Sequence, residues 1–361
     1  MINVTKTFLP PFTEYQDRLQ QIWREGWLTN NGPLVKELAN ELCKYLCVPR
    51  LELVANGTLA LQLAIKALEL TGEIVTTPFT YVATATAIVW EGCTSVFVDI
   101  DENTFCINPE LIEKAITERT SAILATHVYG NPCDVEKIEK IAQKYNLKVI
   151  YDAAHCFGVK INGQSILLHG DVSTLSFHAT KLFHTAEGGA VVCRDAKVSE
   201  RVSLMKKFGH HGENDYFEVG INAKMSELHA AMGLCVLPKV DEIIARRRQC
   251  AEYYNEFLDG IGLRWPHIPA GVEYNYGYYP VVFPNHETMM RVREALIKNG
   301  IMPRRYFYPS LNTLPYLQQH SYVSCPVSEN LASRILCLPM YDSLLKDDIL
   351  KISKVIKDAI L

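Results

Sequence analysis

Lys181 closes the stretch Ser176-Phe177-His178-Ala179-Thr180-Lys181, which begins as an apolar, strand-like run and passes through Gly188-Gly189 into a second apolar run. Asp152 closes another such run, Leu147-Lys148-Val149-Ile150-Tyr151-Asp152. An amine and a carboxylate at two strand ends suit pyridoxal phosphate (PLP). The amine can condense with the aldehyde of the cofactor, and the carboxylate can keep the pyridine nitrogen protonated, so that the ring accepts electrons from a neighbouring carbanion. A third stretch, Ala55-Asn56-Gly57-Thr58-Leu59-Ala60, turns at Gly57 from a strand into a helix. The free amides and positive dipole end of such a helix favour a phosphate, with the Thr58 hydroxyl as a further donor. Each feature alone has a plainer explanation: a solvated surface lysine, an aspartate that caps a helix, an Asn-Gly-Thr turn. Together, in the order phosphate turn, Asp, Lys, they sit where open α/β sheets bind ligands, outside the carboxyl ends of the strands.

The elements that must hold these residues are legible as an alternation. Strands are predicted over 51–55, 74–76, 95–99, 122–125, 148–151, 174–177 and 190–193, separated by helices over 58–70, 81–90, 109–116 and 135–145. Short apolar strands alternating with helices imply an α/β fold, a mostly parallel seven-stranded sheet covered on both faces. The sixth and seventh strands lack a crossover helix between them, which predicts an antiparallel strand there. Pro33 opens a helix with Leu34, Leu38, Leu42 and Leu46 on one face, after a turn at Asn30-Asn31-Gly32. Past Pro238 a helix over 240–257 leads to a strand over 274–283, a helix over 287–299 and a closing helix over 345–361. The chain therefore divides into a large cofactor-binding domain, 1–237, and a smaller α+β domain, 238–361.

Composition narrows the function classes. With 361 residues, a net charge of −4 and no basic run beyond Arg246-Arg247-Arg248, nucleic acid is not an expected partner. The N-terminus lacks a signal-peptide layout and no apolar run reaches membrane-spanning length, so a cytoplasmic protein is expected. Among 11 cysteines there is no Cys-x-x-Cys pair, and Cys43 with Cys47 shares a helix face without a second pair, so neither disulfides nor a metal are expected. A dinucleotide-binding fold lacks its G-x-G-x-x-G fingerprint, and no P-loop, H-E-x-x-H or G-x-S-x-G occurs.

The motifs Asn56-Gly57-Thr58, Thr77-Pro78-Phe79-Thr80-Tyr81-Val82-Ala83-Thr84, His127-Val128-Tyr129-Gly130, Asp152-Ala153-Ala154-His155, Ser176 to Lys181, Glu187-Gly188-Gly189 and Gly220-Ile221-Asn222 together resemble the DegT/DnrJ family of PLP-dependent sugar aminotransferases. The resemblance runs over nearly the whole chain. It implies the aspartate-aminotransferase type of fold (fold type I) and a homodimer with active sites between subunits. It implies Lys181 as the lysine that binds the cofactor, Asp152 as the partner of the pyridine nitrogen, Tyr81 stacked on the ring, and His155 beside the ring or its 3'-oxygen. Gly57, Thr58 and Ser176 would hold the phosphate, and Asn222 would reach the phosphate of the other subunit's cofactor. His178, Lys224, Tyr306 and Tyr308 are candidate substrate contacts. The segments 27–33 and 304–312 are most similar to family members that aminate dTDP-4-keto-6-deoxyglucose with L-glutamate, in O-antigen and lipopolysaccharide biosynthesis. Family patterns often carry Gln at the position of His155, and Ala223-Lys224 fits the residues after Asn222 loosely.

Other readings stay open on the sequence. A 3-keto sugar, or a UDP or GDP sugar, fits the same motifs, because the choice depends on loops such as 208–219 and 306–312. Some relatives carry His in place of the lysine and dehydrate sugars; Lys181 favours amino transfer. A non-catalytic member that keeps only the fold is disfavoured by the intact Lys181 and Asp152.

Overall fold

The structure, a computed structural model, describes residues 1–317 and 323–360. A short strand, β1 (Ile2–Asn3), leads into helices α1 (Phe12–Glu25) and α2 (Pro33–Leu46). Proline opens α2 where an amide has no intrahelical acceptor to lose, and Leu34, Leu38, Leu42 and Leu46 are all buried, as their spacing requires. A distant carboxylate caps this helix: Leu34 N donates to Glu227 Oε2 at 2.7 Å and Val35 N to Oε1 at 3.0 Å.

The alternation follows as β2 (Glu52–Val54), α3 (Gly57–Ala67), β3 (Glu73–Thr76), α4 (Val82–Trp90), β4 (Thr94–Phe97), α5 (Pro109–Ala115), β5 (Thr120–Thr126), α6 (Val135–Tyr145) and β6 (Lys148–Asp152). Side chains set several of the helix starts: Asn56, Asn108 and Asp134 each accept from an amide of the first turn. Two short strands, β7 (Lys160–Ile161) and β8 (Gln164–Ser165), precede β9 (Val172–Ser176) and β10 (Gly189–Cys193). The sheet runs β2-β10-β9-β6-β5-β3-β4. It is parallel from β9 through to β4, whereas β10 is antiparallel to both β9 and β2, because the 179–188 turn holds no crossover helix. Successive residues of the central strands serve opposite faces. Ile123 and Val149 pack in one core with α2 and α6, Leu124 and Ile150 in another with α3.

Helices α7 (Ala196–Met205), α8 (Glu227–Val236) and α9 (Val240–Phe257) carry the chain into β11 (Val272–Glu273), β12 (Tyr279–Val282), α10 (His286–Lys298), β13 (Ile301–Met302), α11 (Pro326–Arg334), β14 (Ile335–Leu338) and α12 (Lys346–Ile360). Strands β12 and β14 pair antiparallel over a core of Tyr254, Val281, Phe283, Leu296 and Ile352. The chain's beginning joins this part, since β1 pairs with β13. The strand expected over 274–283 is much shorter. Its first half is held by side chains instead of a ladder: Asn275 Nδ2 donates to His155 O (2.8 Å) and Phe157 O (3.0 Å), and Tyr276 has a left-handed φ of 53°. Cys47 lies one residue past α2, exposed and left-handed, so the expected pairing of Cys43 and Cys47 on one helix face does not form. Residue 361, the end of the expected closing helix, lies outside the described residues. No helix among the described residues is long and apolar enough to cross a membrane.

Candidate active site

At the end of β6, Asp152 is buried and its two oxygens are separately engaged. Oδ1 accepts from Ala154 N at 3.1 Å, and Oδ2 accepts from Thr84 Oγ1 at 2.7 Å. Thr84 is the first link of a chain: its Oγ1 lies 2.8 Å from Thr80 Oγ1, which lies 3.0 Å from Thr126 Oγ1 at the end of β5. An ionised carboxylate only accepts, so Thr84 spends its proton on Asp152, Thr80 donates to Thr84, and Thr126 donates to Thr80. Three hydroxyl dipoles thus point at one carboxylate. Burial still raises the Asp152 pKa, against the lowering by Thr84, the Ala154 amide and the Lys181 charge. A buried carboxylate in this state is stabilised by a cation placed against it.

Lys181 lies in the turn between β9 and β10, and burial pulls its amine below the ordinary lysine value, while Asp152, Tyr306 and Tyr81 act the other way. Its Nζ donates to Tyr278 Oη at 3.1 Å. His155, in the turn after β6, accepts at Nδ1 from Tyr129 N (3.1 Å), which leaves its proton on Nε2. Burial first, and Lys181 second, hold it well below its ordinary pKa, so the ring is neutral. Its plane is parallel to that of Phe307, 5.7 Å away, and its centroid is 4.5 Å from Tyr278.

The turn from β2 into α3 has the form expected of an anion cradle. Asn56 caps the helix by accepting from Leu59 N at 2.9 Å, and the amides of Gly57 and Thr58 stand at its open end. A Cβ at Gly57 would fall 2.9 Å from Ser176 Cβ, so the absence of a side chain lets the helix start reach the end of β9. Thr58 is exposed.

The remaining sequence candidates divide. Tyr81, at the N-terminus of α4, is 54 % exposed and faces the Lys181 charge. Tyr306 packs edge-on against Tyr278 at 5.8 Å, which brings it to the same place. His178 is exposed, with Nδ1 2.8 Å from Thr180 Oγ1 and Nε2 3.6 Å from Glu187. Tyr308 is exposed and lies against the Arg305 guanidinium (3.3 Å). Asn222 is exposed and its Oδ1 accepts from Lys224 Nζ at 2.7 Å; among the described residues, no hydrogen bond or ring contact links it to Lys181, Asp152 or His155. The sequence alone assigned no role to Thr80, Thr84, Thr126 or Tyr278, although the first two lie in the 77–84 motif. Thr80 and Thr84, four residues apart at the start of α4, were the only local sign; Tyr278 is one aromatic in the aromatic run 274–279.

Residues 12–357 match the model of the DegT/DnrJ/EryC1/StrS aminotransferase family. The chain belongs to that family. Two curated relatives of this aminotransferase are dTDP-4-amino-4,6-dideoxy-D-glucose transaminases. The one from Shigella dysenteriae is 43 % identical over 96 % of this chain and 95 % of its own length. The one from Escherichia coli is 40 % identical over 98 % of both. Among solved structures, DesI in the presence of its TDP-sugar product superposes with a TM-score of 0.95 at 33 % identity, covering 99 % of this chain and 93 % of that one.

Proposed function

We propose that this aminotransferase uses PLP to move the amino group of L-glutamate onto the C4 carbonyl of dTDP-4-keto-6-deoxyglucose, forming dTDP-4-amino-4,6-dideoxyglucose. The observation that carries the chemistry is the meeting of Lys181, Asp152 and neutral His155 at the carboxyl end of the sheet. Near-full-length likeness to two transaminases of that name supports the sugar.

The residues present fit PLP. A buried carboxylate raised by burial suits a protonated ring nitrogen, a lowered lysine suits an aldehyde, and a helix start that only glycine lets reach Ser176 suits a phosphate. When bound, PLP supplies an aldehyde that takes up the amino group and a ring that holds the electron pair released when a C–H bond breaks. Lys181 would bind that aldehyde, Asp152 the ring nitrogen, and Gly57, Thr58 and Ser176 the phosphate. Tyr81 would cover the ring, and the His155 Nε2 proton is free for its 3'-oxygen. Lys181 Nζ, its proton affinity reduced by burial, would remove the α-proton of glutamate and return it to the cofactor carbon within the first half of the exchange, and in the second half would move a proton the opposite way, onto the sugar carbon. His178, Lys224, Tyr306 and Tyr308 are then the sugar-nucleotide contacts, and Asn222 reaches the phosphate bound by the other subunit of a homodimer.

In this reading residues 1–237 hold the cofactor and 238–361 form the smaller domain, and the enzyme works in the cytoplasm on O-antigen and lipopolysaccharide precursors. The test is turnover of dTDP-4-keto-6-deoxyglucose with glutamate, with the product identified by mass and NMR. A 4-amino sugar is expected. Turnover confined to the 3-keto isomer, or to UDP or GDP sugars, would overturn the substrate and leave the amino transfer standing.

A further inference from the structure

The nitrogen of Lys181 has a partner outside the cofactor machinery. Among the described residues its one side-chain hydrogen bond goes to Tyr278 Oη, at 3.1 Å, and no carboxylate lies within ion-pair distance of it. Tyr278 comes from the C-terminal part of the chain, one residue before β12, and its ring is fixed from several sides. It packs on His155 (4.5 Å), Tyr129 (5.7 Å) and Tyr306 (5.8 Å). The backbone beside it is anchored too. Gly277 O accepts from the buried Arg247 at 3.1 Å, and Gly277 N donates to Asn275 Oδ1 at 3.0 Å, while Asn275 in turn holds the carbonyls of His155 and Phe157. Burial keeps the phenol well above its usual pKa, so it is a neutral hydroxyl with a lone pair for the lysine and a proton of its own to give.

We propose that Tyr278 is the resting acceptor of the Lys181 amine, the oxygen to which Nζ returns whenever it is not bound to carbon, and which sets its place and its proton affinity. The proposal rests on the reading of Lys181 as the lysine that engages PLP. An acceptor of this kind favours the ammonium over the amine, so it offsets part of the loss of proton affinity that burial causes and keeps the freed nitrogen localised between the two halves of an exchange. Asp152, Tyr81 and Tyr306 also favour the Lys181 charge, His155 stands close enough to feel it, and Arg247 and Arg304 face the phenol. All of these remain when Tyr278 is changed to Phe, and only the oxygen is lost.

The cofactor-free full-length chain is mixed with pyridoxal phosphate, and the rate at which the lysine-bound chromophore forms is followed across about pH 6 to 10. In Tyr278→Phe the midpoint of that profile moves to lower pH by about one unit, since a hydrogen bond that favoured the ammonium is gone. The same variant loses kcat by about tenfold with the KM for glutamate unchanged. Tyr278→His, which keeps a polar ring atom, has its midpoint above that of the phenylalanine variant and serves in its place against wild type should that variant fail to fold. An unshifted midpoint with unchanged kcat overturns the proposal, as does a histidine variant that coincides with a shifted phenylalanine one. Failure of the wild-type chain to form the chromophore, or its equal formation in Lys181→Ala, would instead remove the reading of Lys181 on which the proposal stands.

Discussion

If Asp152 holds the pyridine nitrogen as proposed, its surroundings must keep it ionised. Burial alone would drive it toward the neutral acid, and such an acid holds a pyridine nitrogen weakly. The aligned hydroxyls of Thr84, Thr80 and Thr126 oppose that tendency, with Thr84 as the strongest of the groups that lower the pKa. Replacing Thr84 with Val keeps the shape and removes the donor. The sign is fixed by the bond: a donor to the ionised form lowers a pKa, so its loss raises it. The acid limb of the kcat/KM profile in Thr84→Val should therefore move to higher pH by about one unit, the scale of a hydrogen bond to a charged group. Thr126→Val, two hydroxyls removed, should move it less. Profiles of the two variants that superpose on wild type would show that the threonine chain does not act on Asp152.

At the level of elements, the close approach of α3 to β9 depends on residue 57 being glycine. An added methyl would sit 2.9 Å from Ser176 Cβ and 3.3 Å from its Cα, closer than side-chain carbons ordinarily come, so the helix start must move away from the strand end. Gly57→Ala should weaken PLP binding roughly tenfold, as overpacking of this size costs about 1–3 kcal/mol. Thr58→Ala removes a hydroxyl without forcing the backbone apart and should cost less; equilibrium titration of the two cofactor-free variants with PLP ranks them, and equal affinities would count against the cradle. This turn was legible in the sequence because its signal is local: Leu53 and Val54 mark the strand, Asn56 the cap, Gly57 the turn. Asp152 and Lys181 were legible for the same reason, each ending an apolar run. Apart from the local Thr80–Thr84 link, the threonine chain, the Tyr278 contact and the Glu227 cap on α2 join residues 46 to 193 positions apart, and no periodicity announces such pairings. The strand expected over 274–283 erred in the same way, since an alternating aromatic pattern does not reveal that Asn275 is bonded to carbonyls 118 and 120 positions away.

At the scale of the whole molecule, the homodimer proposed above would give a partner to apolar residues that stand in water on the single chain. Phe217 is 71 % and Val219 82 % exposed in the segment that leads to Asn222, and Phe12 and Trp23 on α1 are 73 % and 72 % exposed. If Asn222 serves the phosphate bound by the other subunit, each active site draws Lys181 from one chain and Asn222 from its partner. Two inactive variants then make a decisive pair: Lys181→Ala, which lacks the amine, and Asn222→Asp, which sets a carboxylate against the phosphate. Unfolded together and refolded as an equal mixture, half of the dimers are mixed, and each mixed dimer has one site with both native residues and one with neither. The mixture should regain about a quarter of wild-type activity per chain, by that statistical count. If each site were instead built within one chain, every site would retain one lesion and mixing would restore nothing, so the recovered fraction reports directly on where Asn222 acts.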